Sequence, residues 1–159
     1  MKEISSYSGL EAILIGIIQE ALEGVRKKVE EQMKLNIDID VYEANTPNQY
    51  DRTYQLKDSV MTTDVKTVKG GGSFYLQHDT SKIKYAPLYQ HGSPSKKWGD
   101  VSKLIPEIIA FNLSGDWFND GWWQNRDSYY LDTLEDLQDK GMLSKWFKEE
   151  LRNRGVEIV

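Results

Sequence analysis

Two histidines, two aspartate pairs and one glycine run are the residues here whose types and spacing could do chemistry. His78 and His91 lack the helical spacing of a metal pair, although they could meet across a sheet. A histidine alone on a strand is ordinarily half-buried or at the surface. Asp38 and Asp40 invite a cation, but no third oxygen ligand follows at a calcium-loop interval; they read as the solvated face of a strand. Asp116 and Asp120 sit among Trp117, Phe118, Trp122 and Trp123. Carboxylates beside aromatic platforms are how many carbohydrate sites are built. Lys69, Gly70, Gly71 and Gly72 lack the Lys-Ser/Thr of a phosphate loop and open no helix, so they read as a hairpin tip. There is no Gly-x-Ser-x-Gly elbow and no His-Glu-x-x-His. The expectation is a chain with no catalytic residue, no metal and no cofactor. A carbohydrate-binding or carbohydrate-active module resting on the Trp and Asp cluster is the alternative.

Composition supports a structural reading. The 159 residues suit one domain. The formal net charge is −5, with 28% charged residues, and a grip on a phosphate backbone needs a basic face. The longest basic run, Arg26-Lys27-Lys28, is flanked by Glu23 and by Glu30-Glu31 and reads as a solvated helix face. With no cysteine, disulfides and thiolate metal sites are excluded. No apolar run reaches the roughly 18 residues of a membrane span, and Leu10–Ile18 is followed by charged helix rather than a signal-peptide cleavage site.

The elements that must position these residues follow from periodicity. Apolar residues at 10, 13, 14, 17, 18, 21, 22, 25, 29 and 33 predict one long helix over 10–34. Ser8 with Glu11 makes a capping box, and Ile15 widens the first half of the stripe. That half, rich in Ile and Leu, is expected to be buried. The second half thins to Val25, Val29 and Met33 among charges. It either projects towards a neighbouring subunit or forms the polar end of an ordinary core helix. Ile37, Ile39 and Val41 alternate with Asp38 and Asp40, which predicts a half-buried strand over 36–42. Asp51–Leu56 is a helical turn or the start of a strand. Residues 59–68 and 73–79 are expected to pair as an antiparallel hairpin, and Tyr85–Tyr89 is a short aromatic segment. The stretch 94–126 is a Trp-rich insertion with a short helix starting near Pro106. Helices fill 127–154, with Asp127 as N-cap, a stripe of Tyr130, Leu131, Leu134 and Leu137, a break at Gly141 and a stop at Gly155. Gly155–Val159 is expected to add a last short strand. The result is an α+β domain over 1–159: a long N-terminal helix on a small antiparallel sheet (36–92), with a C-terminal helical region. Trp117, Phe118, Trp122 and Trp123 must bury much of their surface in the core or in a subunit contact.

The centre of the chain resembles the tail-completion (head–tail joining, neck) proteins of long-tailed bacteriophages. The residues that carry the resemblance are Tyr50, Arg52, Thr53, Leu56 and Ser59, then a Gly-containing hairpin, then Tyr85, Ala86, Tyr89 and Gly92. The order of elements matches over most of the chain, while 94–126 exceeds the short loop expected there. The resemblance implies a non-enzymatic ring protein, sixfold or twelvefold, in the neck of the virion, synthesised in the host cytoplasm. Its implied partners are further copies of itself, the head-completion or connector protein, and the tail-terminator or tail-tube protein. DNA would pass through the lumen without specific binding, and no membrane is involved. A tail-terminator ring is the alternative within the same class. The resemblance further implies that Arg52 pairs with a carboxylate or caps a carbonyl, that Tyr85 and Tyr89 anchor the last strand, and that the hairpin tip reorders on docking.

Overall fold

The computed structural model of the chain describes residues 7–44, 53–68, 71–84, 102–110 and 128–157. It is α+β: a long N-terminal helix, two small two-stranded antiparallel sheets and C-terminal helices.

Helix α1 runs from Tyr7 to Ile37 and continues as π-helical turns over Asp38–Glu43. Ser8 lies inside it and is not its N-cap. The buried row is Ala21, Val25, Val29, Met33, Ile37 and Val41, a spacing of four throughout. That row corrects the expected strand over 36–42. Ile37 and Val41 satisfy a period of two and a spacing of four equally well. Extending an existing helix forms one hydrogen bond per residue fixed, so the helical option wins. Ile39 is then left exposed.

The row also inverts the expected burial of α1. Val25 (2% exposed), Val29 (3%) and Met33 (3%) are core residues rather than a projecting surface. Leu10 (39%), Ile13 (44%) and Leu14 (46%) are exposed instead. A local stripe says which face is apolar; the other elements decide which stretch of it is covered.

Helix α2 spans Gln55–Asp58, so the last two residues of the expected 51–56 element are helical; Asp51 and Arg52 lie outside the described residues. Tyr54, which precedes it, has the left-handed φ of 55°. The strands are β1 (Val60–Thr62), β2 (Lys66–Val68), β3 (Gly71–Ser73) and β4 (Leu76–His78). Strands β2 and β3 pair antiparallel, with Lys66 opposite Ser73, Thr67 opposite Gly72 and Val68 opposite Gly71. Strand β1 pairs with β4. The expected hairpin is therefore present, split into two ladders. At the split, Thr63 N–H donates to the Tyr75 carbonyl (2.9 Å) and Tyr75 N–H donates to Thr63 Oγ1 (2.9 Å). Gly71 and Gly72 are ladder residues rather than a free tip. A Cβ at Gly72 would lie 2.5 Å from Leu22 Cδ1 on α1, the mobile end of a side chain that would have to shift.

Helix α3 spans Ile105–Ala110 after a 3-10 turn at Ser102–Leu104, with Pro106 tolerated in its first turn. Helix α4 (Tyr129–Leu134) passes into π-helical turns at Glu135–Asp139, where Lys140 N–H reaches back to the Glu135 carbonyl (3.0 Å). Gly141, at φ 68°, breaks the helix as expected, and α5 runs Met142–Asn153. The buried residues here are Tyr129, Thr133, Asp136 and Leu137; of the expected stripe Leu137 is buried, while Tyr130 and Leu131 face solvent. Gly155, at φ 80°, ends α5, and Gly155–Glu157 form no strand.

The chain packs as two compact units. The first comprises Met1–Glu31, Thr62–Gln77 and Glu135–Val159; the second comprises Gln32–Met61 and His78–Leu134. In the first, Val25, Val29 and Leu137 form the core, with Phe74, Leu76, Leu143, Trp146 and Phe147 packed against it. Each such side chain contributes about 1.5–3 kcal/mol on full burial. Charged groups fix α5 along α1. Glu150 binds Arg154 (2.6 Å) and Lys28 (3.0 Å), and Arg154 donates to the Glu20 carbonyl (2.7 Å). Arg26 pairs with Glu23 (2.9 Å) and donates to the Thr63 carbonyl (3.4 Å). Arg26 and Lys28 are thus structural ties rather than a solvated face. In the second unit, Ile37, Val41, Leu56, Val60, Ile83, Ala110 and Tyr129 are buried.

Candidate functional site

The second unit contains a buried polar chain built from distant residues. Ser59 closes α2, and its hydroxyl donates to the Leu56 carbonyl (2.6 Å). The same Oγ lies 2.7 Å from His78 Nδ1. On the far side of the ring, His78 Nε2 lies 3.1 Å from the Tyr129 hydroxyl, which also reaches the Pro106 carbonyl (3.0 Å). The His78 and Tyr129 rings meet edge to face at 5.9 Å. Beside them, Asn36 Nδ2 donates to Thr133 Oγ1 (3.1 Å), whose own hydroxyl donates to the Tyr129 carbonyl (2.6 Å).

Both ends of this chain are carbonyls, which only accept. Four links join Leu56, Ser59, His78, Tyr129 and Pro106. Two hydroxyls and a neutral imidazole bring one proton fewer than the links need. Imidazolium would fill every link, but burial opposes it. Burial lowers the His78 pKa from 6.5 to about 4, and the Leu56 carbonyl offsets only part of that. Burial also raises the Tyr129 phenol well above its ordinary range, with a smaller contribution from Tyr42. At neutral pH the chain is uncharged throughout.

A hydroxyl beside an imidazole is also the start of a nucleophilic pair. Ser59 cannot serve as one in this geometry, since it is 0% exposed and its proton is committed to a carbonyl. The chain acts as an internal tie that fixes α2, β4, α3 and α4 by hydrogen bonds. Only its shortest step, Leu56-x-x-Ser59, is visible as a local spacing.

Asp38 and Asp40 lie on the π-helical turns, not on a strand. Asp38 is ion-paired with Lys57, and Asp40 is 7% exposed. Among the described residues no group of three or more His, Cys, Asp or Glu side chains could hold a metal ion. Of the family-like motif, Thr53 is exposed, Leu56 is buried on α2 and Ser59 belongs to the polar chain. Tyr50, Arg52, Lys69, Gly70, Tyr85, Tyr89, His91, Gly92, Asp116, Trp117, Phe118, Asp120, Trp122, Trp123 and Asp127 lie outside the described residues.

The surface that stands out is the first part of α1. Tyr7 is 83% exposed, and Leu10, Ile13 and Leu14 follow it on the stripe that continues into the core at Ala21 and Val25. Val25, Val29 and Met33, expected among the interface residues, are buried within this chain instead. The signal lay in the charges: Ala12–Gln19 has none, whereas the covered half of the helix is rich in them. Among the described residues no helix is long and apolar enough to cross a membrane.

A protein-family model, YomN, matches residues 7–153. No curated protein and no solved structure matches the chain.

Proposed function

The chain belongs to the YomN family, which is phage-derived, and we propose that it is a structural ring protein of the phage neck. In this reading it joins the head connector to the tail and surrounds the DNA path. Copies of the chain are its first partners; the connector protein and the tail-terminator or tail-tube protein are the others. It acts in the virion after synthesis in the host cytoplasm.

The observation that carries the reading is the start of α1, where Tyr7, Leu10, Ile13 and Leu14 are exposed among the described residues. A folded chain that leaves Leu10, Ile13 and Leu14 in water has surface reserved for another molecule. The resemblance of Tyr50, Arg52, Thr53, Leu56, Ser59, Tyr85, Tyr89 and Gly92 to tail-completion proteins supplies the kind of assembly. The net charge of −5 suits a lumen that repels the duplex and lets it slide.

The test is to disrupt the gene in the phage that encodes it and view the lysate by electron microscopy. Full heads and tails of normal length, unjoined, are expected. Joined, infectious particles would refute the reading. Overlong tails would instead assign the chain to the tail terminator, because an uncapped tube continues to polymerise.

A further inference from the structure

Helix α5 presents two opposite faces to two different surroundings. Leu143, Trp146 and Phe147 pack against the core of the first unit. At about 100° per residue, Lys145, Lys148 and Arg152 fall within an arc of about 60° on the other side of the helix. All three are exposed. With Ser144 and Glu149 they line one open depression in the surface. At about 1.5 Å per residue the three cations cover about 10 Å of helix.

An ordinary solvated helix face mixes its charges, with carboxylates three or four residues from the cations. Glu149 stands four residues after Lys145 and three before Arg152, in reach of both. Its carboxylate lies instead 3.6 Å from Lys28 on α1. Glu150, the other acid of α5, is held by Arg154 and Lys28. Among the described residues no carboxylate is ion-paired with Lys145, Lys148 or Arg152. The helix dipole accounts for Arg152, which lies in the last turn. Lys145 is near the opposite end, where a cation gains nothing from the dipole. Lys145 with Lys148, and Lys148 with Arg152, are like charges three and four residues apart, an arrangement that weakens a helix. The folded chain thus carries an uncompensated basic stripe whose own acids are directed to α1.

We propose that Lys145, Lys148 and Arg152 form the docking surface for a short acidic segment of a protein partner. Three cations at this spacing match carboxylates spaced three and four residues apart on a facing helix. A duplex is the poorer fit. It carries a charge about every 1.7 Å of its axis and rewards contact with many phosphates. This stripe is short, and exposed carboxylates adjoin it in the chain, Asp139 before it and Glu157 after it. The whole chain carries −5. A long polyanion would run on into that charge, whereas a short acidic segment would not. Each exposed pair is weak alone. The stripe acts through three pairs together and by steering the partner's approach, so the contact is salt-sensitive. The inference goes beyond the ring reading and does not depend on it.

The test uses the full chain and a short fluorescein-labelled helical peptide with glutamates at i, i+3 and i+7, titrated by anisotropy at low ionic strength. Wild type should bind it, and added salt should release it. Lys145→Gln/Lys148→Gln/Arg152→Gln should weaken binding by about tenfold, the loss of three weak pairs. Lys27→Gln/Lys84→Gln/Lys103→Gln removes the same charge from exposed positions elsewhere and should bind like wild type. In wild type, the amide chemical-shift changes caused by the peptide should centre on residues 144–153, a readout that needs no variant. No binding by wild type would overturn the proposal. So would equal weakening in both triple variants, which would make net charge the cause, or shift changes centred elsewhere. A DNA duplex of equal charge that bound tighter than the peptide, and lost binding in the stripe variant alone, would overturn it in favour of a phosphate backbone.

Discussion

Glu150 lies directly over Gly24. A Cβ built at Gly24 would sit 2.4 Å from the Glu150 carboxyl carbon and 2.5 Å from its nearer oxygen. The carboxylate is the end of a flexible side chain, but Arg154 and Lys28 hold it from two sides, at 2.6 and 3.0 Å. The absence of a side chain at position 24 therefore lets α5 dock on α1 through this charged cluster. Gly24→Ala should gain about 0.5–1 kcal/mol of helix propensity. It should lose about 1–3 kcal/mol as the carboxylate is pushed off its partners. The net expectation is a destabilisation of about 1 kcal/mol in urea unfolding. In a Glu150→Ala background the same substitution should stabilise. A Gly24→Ala effect of the same sign in both backgrounds would show that the contact is not the reason for the glycine.

His78 makes the second unit sensitive to acid. In the unfolded chain it takes up a proton near pH 6.5; in the folded chain burial delays that to about pH 4. Between those values the unfolded state binds the extra proton, so acidification favours unfolding. The stability concerned is complete above pH 6.5, is lost as pH falls towards 4, and changes no further below that. His78 keeps some contact with solvent, which reduces the full linkage value to on the order of 2 kcal/mol. Denaturant melts of wild type and His78→Gln from pH 7.5 to 4 measure it as the difference between the two curves. Parallel curves would remove the claim that His78 is buried neutral.

The Thr133 hydroxyl joins two partners inside the second unit, accepting from Asn36 and donating to the Tyr129 carbonyl. Thr133→Val keeps the shape and removes both bonds. It should cost about 1–3 kcal/mol, because a buried amide N–H of Asn36 loses its acceptor there. Thr133→Ser should recover most of that loss. A Val variant as stable as wild type, with the Ser variant weaker, would mean that the methyl group, not the hydroxyl, matters.

Much of the fold was legible because its signals are local. The row of apolar residues from Leu10 to Met33 gives α1, Gly141 and Gly155 mark the ends of the last helix, and the runs flanking Gly71 and Gly72 give the hairpin. Pro106 in the first turn of α3 is likewise a local matter. What was misread depends on distant packing. Ile37 and Val41 fit a strand and a helix equally until the preceding thirty residues prove helical. Leu10 and Val25 lie on one stripe, and only the position of Leu137, Phe74 and Trp146 decides that Val25 is the covered one. The polar chain joins residues 59, 78 and 129, a pairing no spacing rule reaches. The candidate surface could have been read from charge: Ala12–Gln19 is uncharged on all sides, which one core contact does not require.

The proposal as a whole stands or falls on where the chain sits in a particle. A cryo-electron microscopy map of the neck of the phage that encodes it is the most direct measurement. A closed ring of six or twelve copies between connector and tail is expected, with the exposed side chains at the start of α1 buried against a neighbour. A neck with no copy of this chain, or copies in it whose α1 surface at Leu10, Ile13 and Leu14 remains open to solvent, would contradict it.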